Sequence, residues 1–141
     1  MTVHIKDILE TALYVDDLDA AERFYTEVLG LTVDSKANGR HIFFRIGDRM
    51  LLLFSPDATS ELDSDPNAAP SHGTRGPGHV AFSIAPDEFE AWRDRLTSHS
   101  VVIEKELDWG GRGRSLYFRD PAGNSLEVTI PAIWGIEGEK P

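Results

Sequence analysis

The sequence predicts an α+β fold built from two tandem βαβββ modules, and three observations carry that expectation. The order strand, helix, strand, strand, strand can be read twice along the 141 residues. The two halves also match by residue type: "ETALYV" lies on "HVAFSI", "DDLDAAERFY" on "DEFEAWRDRL", and "FFRIGDRMLLLF" on "YFRDPAGNSLEVTI" with a small gap. Between them, residues 55–78 are rich in Pro, Gly, Ser, Asp and Ala and lack periodicity, which marks a long connection.

Each element follows from its own pattern. "ILETALYV" (8–15) mixes apolar and polar residues at strand length. In "DDLDAAERFYTEVLGL" Asp16 or Asp17 caps a helix whose Leu18, Ala21, Phe24, Tyr25 and Val28 recur at helical spacing, and Gly30 stops it. "LTVDSKA", "RHIFFRIG" and "RMLLLFS" read as three strands, turned at Asn38-Gly39 and Gly47-Asp48. The second half repeats the pattern. "HVAFSI" (79–84) is a strand, and "PDEFEAWRDRLTSH" is a helix with Phe89, Trp92 and Leu96 on one face. "VVIEKEL", "RSLYFRD" and "NSLEVTI" are three further strands, the last preceded by the turn "DPAGN". Strand alternation sets Glu10, Ala12 and Tyr14 against Leu13 and Val15, His79, Ala81 and Ser83 against Val80, Phe82 and Ile84, and Glu127 and Thr129 against Leu126, Val128 and Ile130. In the internal match Glu10 falls on His79, and Glu127 falls on Leu51 or Leu52 according to where the gap is placed.

Composition narrows the function classes. Lys and Arg total 14 against 24 Asp and Glu, a formal charge of −10, so the surface repels phosphate backbones and nucleic acid is not an expected partner. The absence of cysteine excludes disulfides, thiolate metal sites and a Cys nucleophile, leaving His, Asp and Glu for any metal site. The start "MTVHIKDILETALYV" carries acids within its apolar run and no small-residue cleavage site, and no apolar segment approaches the ~18 residues of a membrane span. A soluble cytoplasmic protein with no membrane partner is the expectation. No glycine-rich phosphate loop, nucleophile elbow or tandem His-Glu zinc motif occurs.

The tandem modules, "YVDDLDAAERFYTEVLGL" after the first strand, "GHVAF" at the start of the second module and "FRDPAGNSLEV" near the end resemble the vicinal oxygen chelate superfamily: glyoxalase I, fosfomycin resistance proteins, extradiol dioxygenases and bleomycin resistance proteins. The resemblance covers residues 7–131. It implies a single domain over 1–141, built from module 7–55, linker 56–78 and module 79–131, with a C-terminal tail 132–141. Its mixed sheets would form a cup around a divalent ion, with the helices outside. By position it implies a metal set of Glu10, His79 and Glu127, whose two carboxylates and one imidazole suit Mn, Fe, Ni, Mg or Zn. Glu10 stands where the family often has His. A fourth ligand, a carboxylate in glyoxalase I, is replaced by Leu51 or Leu52, which weakens the match to glyoxalase I and leaves open coordination positions for substrate.

Tyr14, Arg45, Trp109 and Tyr117 are the candidate substrate-binding residues: the phenols as hydrogen-bond donors, Arg45 for an anion, and Trp109 closing over the cup from the glycine-rich "DWGGRGR". Trp134 is expected to pack, and His4, His41, His72 and His99 to lie on the surface or in loops. The expected function is a divalent-metal-dependent enzyme acting on a small molecule with neighbouring oxygens, as a lyase, isomerase, ring-opening transferase or dioxygenase, with Glu10 or Glu127 as general base. The alternative is a metal-free protein that sequesters a toxic small molecule, as bleomycin resistance proteins do. The resemblance also implies a homodimer.

Overall fold

The computed structural model describes residues 1–138, so the last three residues of the expected tail, 139–141, lie outside the described residues. The chain divides into two compact units, the first Met1–Arg75 and the second beginning at Gly76.

The first unit runs β1 (Glu10–Tyr14), α1 (Leu18–Arg23), β2 (Thr32–Ala37), β3 (His41–Ile46), β4 (Arg49–Phe54) and α2 (Pro56–Thr59). Its sheet has the order β1-β4-β3-β2; β1 pairs with β4 in parallel and the other pairs are antiparallel. Asp17 caps α1, its carboxylate accepting the Ala20 N–H at 3.0 Å. Asp17→Ala is therefore expected to lower the unfolding free energy by about 1 kcal/mol in urea denaturation. Beyond Arg23 the helix widens to a π-turn over Phe24–Val28, which turns Tyr25 and Val28 inward and leaves Phe24 half-buried. Gly30 ends it with φ 71°, a conformation open to glycine. Central strand β4 is covered on both faces, with Leu51, Leu52, Leu53 and Phe54 all buried.

The second unit runs β5 (His79–Ser83), a 3₁₀ turn (Pro86–Glu88), α3 (Phe89–Ser98), β6 (Lys105–Asp108), β7 (Arg114–Arg119), β8 (Ser125–Thr129) and a 3₁₀ turn (Pro131–Trp134). The order β5-β8-β7-β6, with β5 and β8 parallel, repeats that of the first unit. Two mixed four-stranded sheets with a few helices make this the expected α+β architecture. The apolar face of this sheet, Leu116, Phe118, Leu126 and Val128, is fully buried, and Phe89 and Leu96 of α3 are buried with it.

Four elements differ from the sequence expectation. The strand expected from residue 8 begins at Glu10, leaving Ile8 and Leu9 exposed. "VVIEKEL" is a strand only over Lys105–Asp108, with Glu104 N–H already bonded to the Tyr117 carbonyl, because Val101 N–H is taken by the Leu96 carbonyl at the end of α3. The linker opens with α2, a single turn started by Pro56 and too short to show periodicity. Trp134 is 79% exposed instead of packed.

Candidate functional site

The turn 120–124 fixes the start of β5 against β8. Asp120 Oδ1 accepts the N–H groups of Ala122 and Asn124 at 3.0 and 2.8 Å, and Asn124 Oδ1 accepts the Gly78 N–H at 2.7 Å. Ser125 N–H then donates to the Gly78 carbonyl at 2.9 Å, which sets His79 opposite Ser125 in the parallel ladder. His79 is held by its Nδ1, 2.9 Å from the Ser125 carbonyl oxygen. A carbonyl only accepts, so Nδ1 carries a proton, and Nε2 is the ring nitrogen left facing Glu127.

Nε2 lies 3.4 Å from Glu127 Oε1. Glu127 lies on β8, 5% exposed, and its other oxygen, Oε2, accepts the Ser115 hydroxyl at 2.5 Å. Ser115 Oγ in turn accepts the Trp109 indole N–H at 2.8 Å and lies 3.0 Å from Thr129 Oγ1. Two electron-rich atoms facing each other need a cation beside them: a second proton on the imidazole, or a metal ion. Ligand atoms about 2.1 Å from one ion, at angles of roughly 90–110°, stand about 3.0–3.4 Å apart. The pair fits a divalent ion in spacing, in donor type and in its supports, since the hydrogen bonds from His79 to a carbonyl and from Ser115 to the carboxylate are the outer contacts that orient metal ligands.

Tyr117, cross-strand partner of Glu127 in the β7–β8 ladder, adds a phenol to the same face, its ring 6.3 Å from that of His79 and nearly parallel to it. Burial first, and then the Glu127 charge and a hydrogen bond to that carboxylate, push the Tyr117 phenol above its usual value, with a Ser115 hydrogen bond opposing. It is a neutral donor at physiological pH. His79 is half-exposed while Glu127 is covered, so the imidazole edge is the side open to a ligand.

The first unit carries a different surface on its matching face. Glu10 is exposed at the start of β1, opposite Met50. Ala12 pairs with Leu52 as Ala81 pairs with Glu127, so Leu52, and not Leu51, occupies the place of Glu127. Around it the face is aromatic. Phe54 meets Tyr14, His41, Phe43 and His72 at ring distances of 6.3, 6.0, 5.4 and 4.6 Å, and His41 stacks on Phe43 at 4.0 Å. The Tyr14 hydroxyl is hydrogen-bonded to His72 Nδ1 at 2.6 Å, so His41 and His72, expected on the surface or in loops, belong to this cluster. Burial and the adjacent Arg40 hold the His41 imidazole below its usual value. Arg45 is exposed and ion-paired with Asp34 at 3.0 Å.

Of the residues the sequence singles out, the second unit thus brings together His79, Glu127, Tyr117 and Trp109, while Glu10, Tyr14 and Arg45 lie in the first. Among the described residues no group of three or more His, Asp or Glu side chains is arranged to hold a metal ion. Ser115, the hub of the hydrogen bonds to Glu127, is not among the residues the sequence singles out. Its signal is a lone small hydroxyl in "RSLYF", two residues from Tyr117 and therefore on the same face. Among the described residues no helix is long and apolar enough to cross a membrane.

Comparisons with known proteins find relatives along nearly the whole chain. The crystal structure of lactoylglutathione lyase from Agrobacterium tumefaciens superposes with a TM-score of 0.89 at 43% identity, covering 94% of this chain and 98% of that one. Glutathione transferase FosA of Serratia marcescens is 27% identical over 129 residues, 92% of this chain and 84% of FosA. A probable lactoylglutathione lyase of Vibrio cholerae is 28% identical over 140 residues, 93% of this chain and 96% of its own length. All three are named as enzymes, which supports an enzyme in this chain as well. The profile of one family matches residues 7–128, nearly the whole of both modules, and with it the chain belongs to the glyoxalase/bleomycin resistance protein/dioxygenase superfamily.

Proposed function

We propose that the protein is a divalent-metal-dependent enzyme of the glyoxalase type, acting as a lyase, isomerase or transferase on a small molecule that presents two neighbouring oxygens. One observation carries the reading: His79 Nε2 and Glu127 Oε1 face each other at 3.4 Å, each with its second polar atom already committed to another group. A divalent ion held there, Mn, Fe, Ni, Mg or Zn, supplies Lewis-acid polarisation of adjacent substrate oxygens. His79 and Glu127 are the residues that would hold it. Glu10, on β1 where His79 stands on β5, is proposed as the third ligand from the sequence correspondence alone.

Within the second unit the remaining roles follow from chemistry. Tyr117, kept as a neutral phenol, donates a hydrogen bond to a substrate oxygen. A carboxylate at Glu127 or Glu10 accepts a proton from carbon if the reaction is an isomerisation. The kinship with lactoylglutathione lyases and with FosA makes a thiol-conjugated or thiol-accepting substrate the first class to assay. A homodimer is part of the proposal, as is a site in the cytoplasm.

Elemental analysis of protein purified without chelator tests the reading. The expected result is a stoichiometric divalent metal, with affinity lowered about 100-fold or more by His79→Ala, beyond the 10–100-fold usual for residues that only support ligands. A metal-free protein that takes up none of the five metals in calorimetry overturns it. The aromatic cluster of Tyr14, Phe43 and Phe54 favours a second reading, sequestration of a planar apolar compound. That reading predicts ligand binding that His79→Ala leaves intact.

A further inference from the structure

We propose that Trp109 is a positioning residue: through Ser115 it sets the rotamer of Glu127, so that the 108–114 loop governs how tightly the His79–Glu127 pair takes a divalent cation. The inference rests on the metal-site reading above and moves Trp109 from a wall that touches substrate to a support that acts through another side chain.

Proton accounting fixes the direction of the relay. The indole N–H is a donor only, so across 2.8 Å it gives its proton to a Ser115 Oγ lone pair. Ser115 has one proton, with three oxygens in reach: Glu127 Oε2 at 2.5 Å, Thr129 Oγ1 at 3.0 Å and the Tyr117 phenol. Thr129 spends its own proton on the Arg114 carbonyl at 3.0 Å, so it does not compete as a donor to Ser115. With Trp109 occupying one lone pair, the Ser115 hydroxyl is polarised and aimed at the carboxylate, the charge-assisted and strongest of its options. Without the indole, the hydroxyl is less polarised and its rotor less fixed, so Oε2 of Glu127 is held more weakly.

The relay joins two environments. Ser115 is fully buried, and Trp109 is 41% exposed on a loop containing Gly110, Gly111 and Gly113. The loop is closed on itself by Trp109 N–H to the Gly113 carbonyl at 2.8 Å and by Asp108 Oδ1 accepting Gly110 N–H at 2.9 Å. It is seated at Gly113, where φ is 143° and an added Cβ would stand 2.8 Å from Ile130 Cδ1. A solvent-facing tryptophan on a glycine loop is thereby wired to a buried carboxylate by one hydroxyl.

The test is a double-mutant cycle read as Zn²⁺ affinity by calorimetry on the intact protein. Ser115→Ala is expected to weaken binding roughly 10–100-fold, and Trp109→Phe, which keeps the ring and removes the N–H, roughly 3–10-fold. Because Trp109 acts through Ser115, the double variant is expected to bind like Ser115→Ala alone. In a Trp92→Phe/Trp134→Phe background, Trp109 emission is expected to shift on Zn²⁺ addition, and Ser115→Ala to remove the shift. A Trp109→Phe effect that is absent, or that adds in full to that of Ser115→Ala, overturns the relay and leaves the metal site standing; so does a Trp109 emission indifferent to Zn²⁺. Wild-type protein that binds no Zn²⁺, nor any of the other four metals, overturns the metal site and the relay together.

Discussion

Replacing Glu127 by leucine is expected to raise the stability of the metal-free protein by about 1–3 kcal/mol while abolishing its response to divalent metal. Glu127 is a carboxylate taken almost wholly out of water, with the Ser115 hydroxyl, the Tyr117 phenol and the His79 imidazole as its nearest polar neighbours. That arrangement leaves its desolvation incompletely offset until a cation arrives. The first unit supplies the control: at the matching place its sheet holds Leu52, buried and opposite Ala12 as Glu127 is opposite Ala81. Nor does the substitution orphan Ser115, whose proton has Thr129 Oγ1 in reach at 3.0 Å. Urea unfolding with and without metal separates the terms. At a metal concentration 100 times Kd the wild type gains about 2.7 kcal/mol and the leucine variant gains nothing. Glu127→Gln keeps the shape and the Ser115 bond, so it is expected to lose most of the metal response with little change in metal-free stability. A leucine variant less stable than wild type without metal would show that Glu127 is held for the fold, and the site reading would fall.

The fold was legible because its signals are local or repeated. Period-two alternation, a cap at Asp16 or Asp17, and the Asn38-Gly39 and Gly47-Asp48 turns each need only neighbouring residues, and the match between halves needs only the string itself. The site was legible in part. His79 and Glu127 stand out as polar residues in apolar strands, and they meet diagonally across the parallel ladder, His79 opposite Ser125 and Glu127 opposite Ala81. What the string hides is pairing across strands. Whether Glu127 corresponds to Leu51 or Leu52 was open until the pairs Ala12–Leu52 and Ala81–Glu127 fixed the gap. Ser115 gains its role only from β7 lying against β8, and His72 reaches Tyr14 across 58 positions of chain through a stretch that shows no periodicity. Arg45 reads as an available cation because its partner, Asp34, sits at a β-bulge that the alternation pattern does not announce.

Trimming Phe118 to alanine is expected to lower the unfolding free energy by about 3–5 kcal/mol, the range for a fully buried aromatic whose cavity closes poorly. Phe118 is 0% exposed and pairs across the ladder with Leu126, itself 0% exposed, on the face of the sheet opposite Tyr117 and Glu127. Against a total of about 5–15 kcal/mol for a domain, such a loss takes away a large fraction of the stability. The contrast is Trp134→Ala, which removes a larger side chain from a position 79% exposed and is expected to change stability by no more than about 0.5 kcal/mol. The effect should also reach the site. Phe118 is the residue after Tyr117, and Leu126 the one before Glu127, so a cavity on one face of β7 and β8 loosens the strands that hold the phenol and the carboxylate on the other. Metal affinity of Phe118→Ala, measured under conditions where the variant is folded, is therefore expected to fall as well, whereas the volume-sparing Phe118→Leu keeps most of both. A loss below about 1 kcal/mol for Phe118→Ala would mean that this face is not the core of the second unit. The alternation that turns Glu127 toward His79 would then have no packing to enforce it.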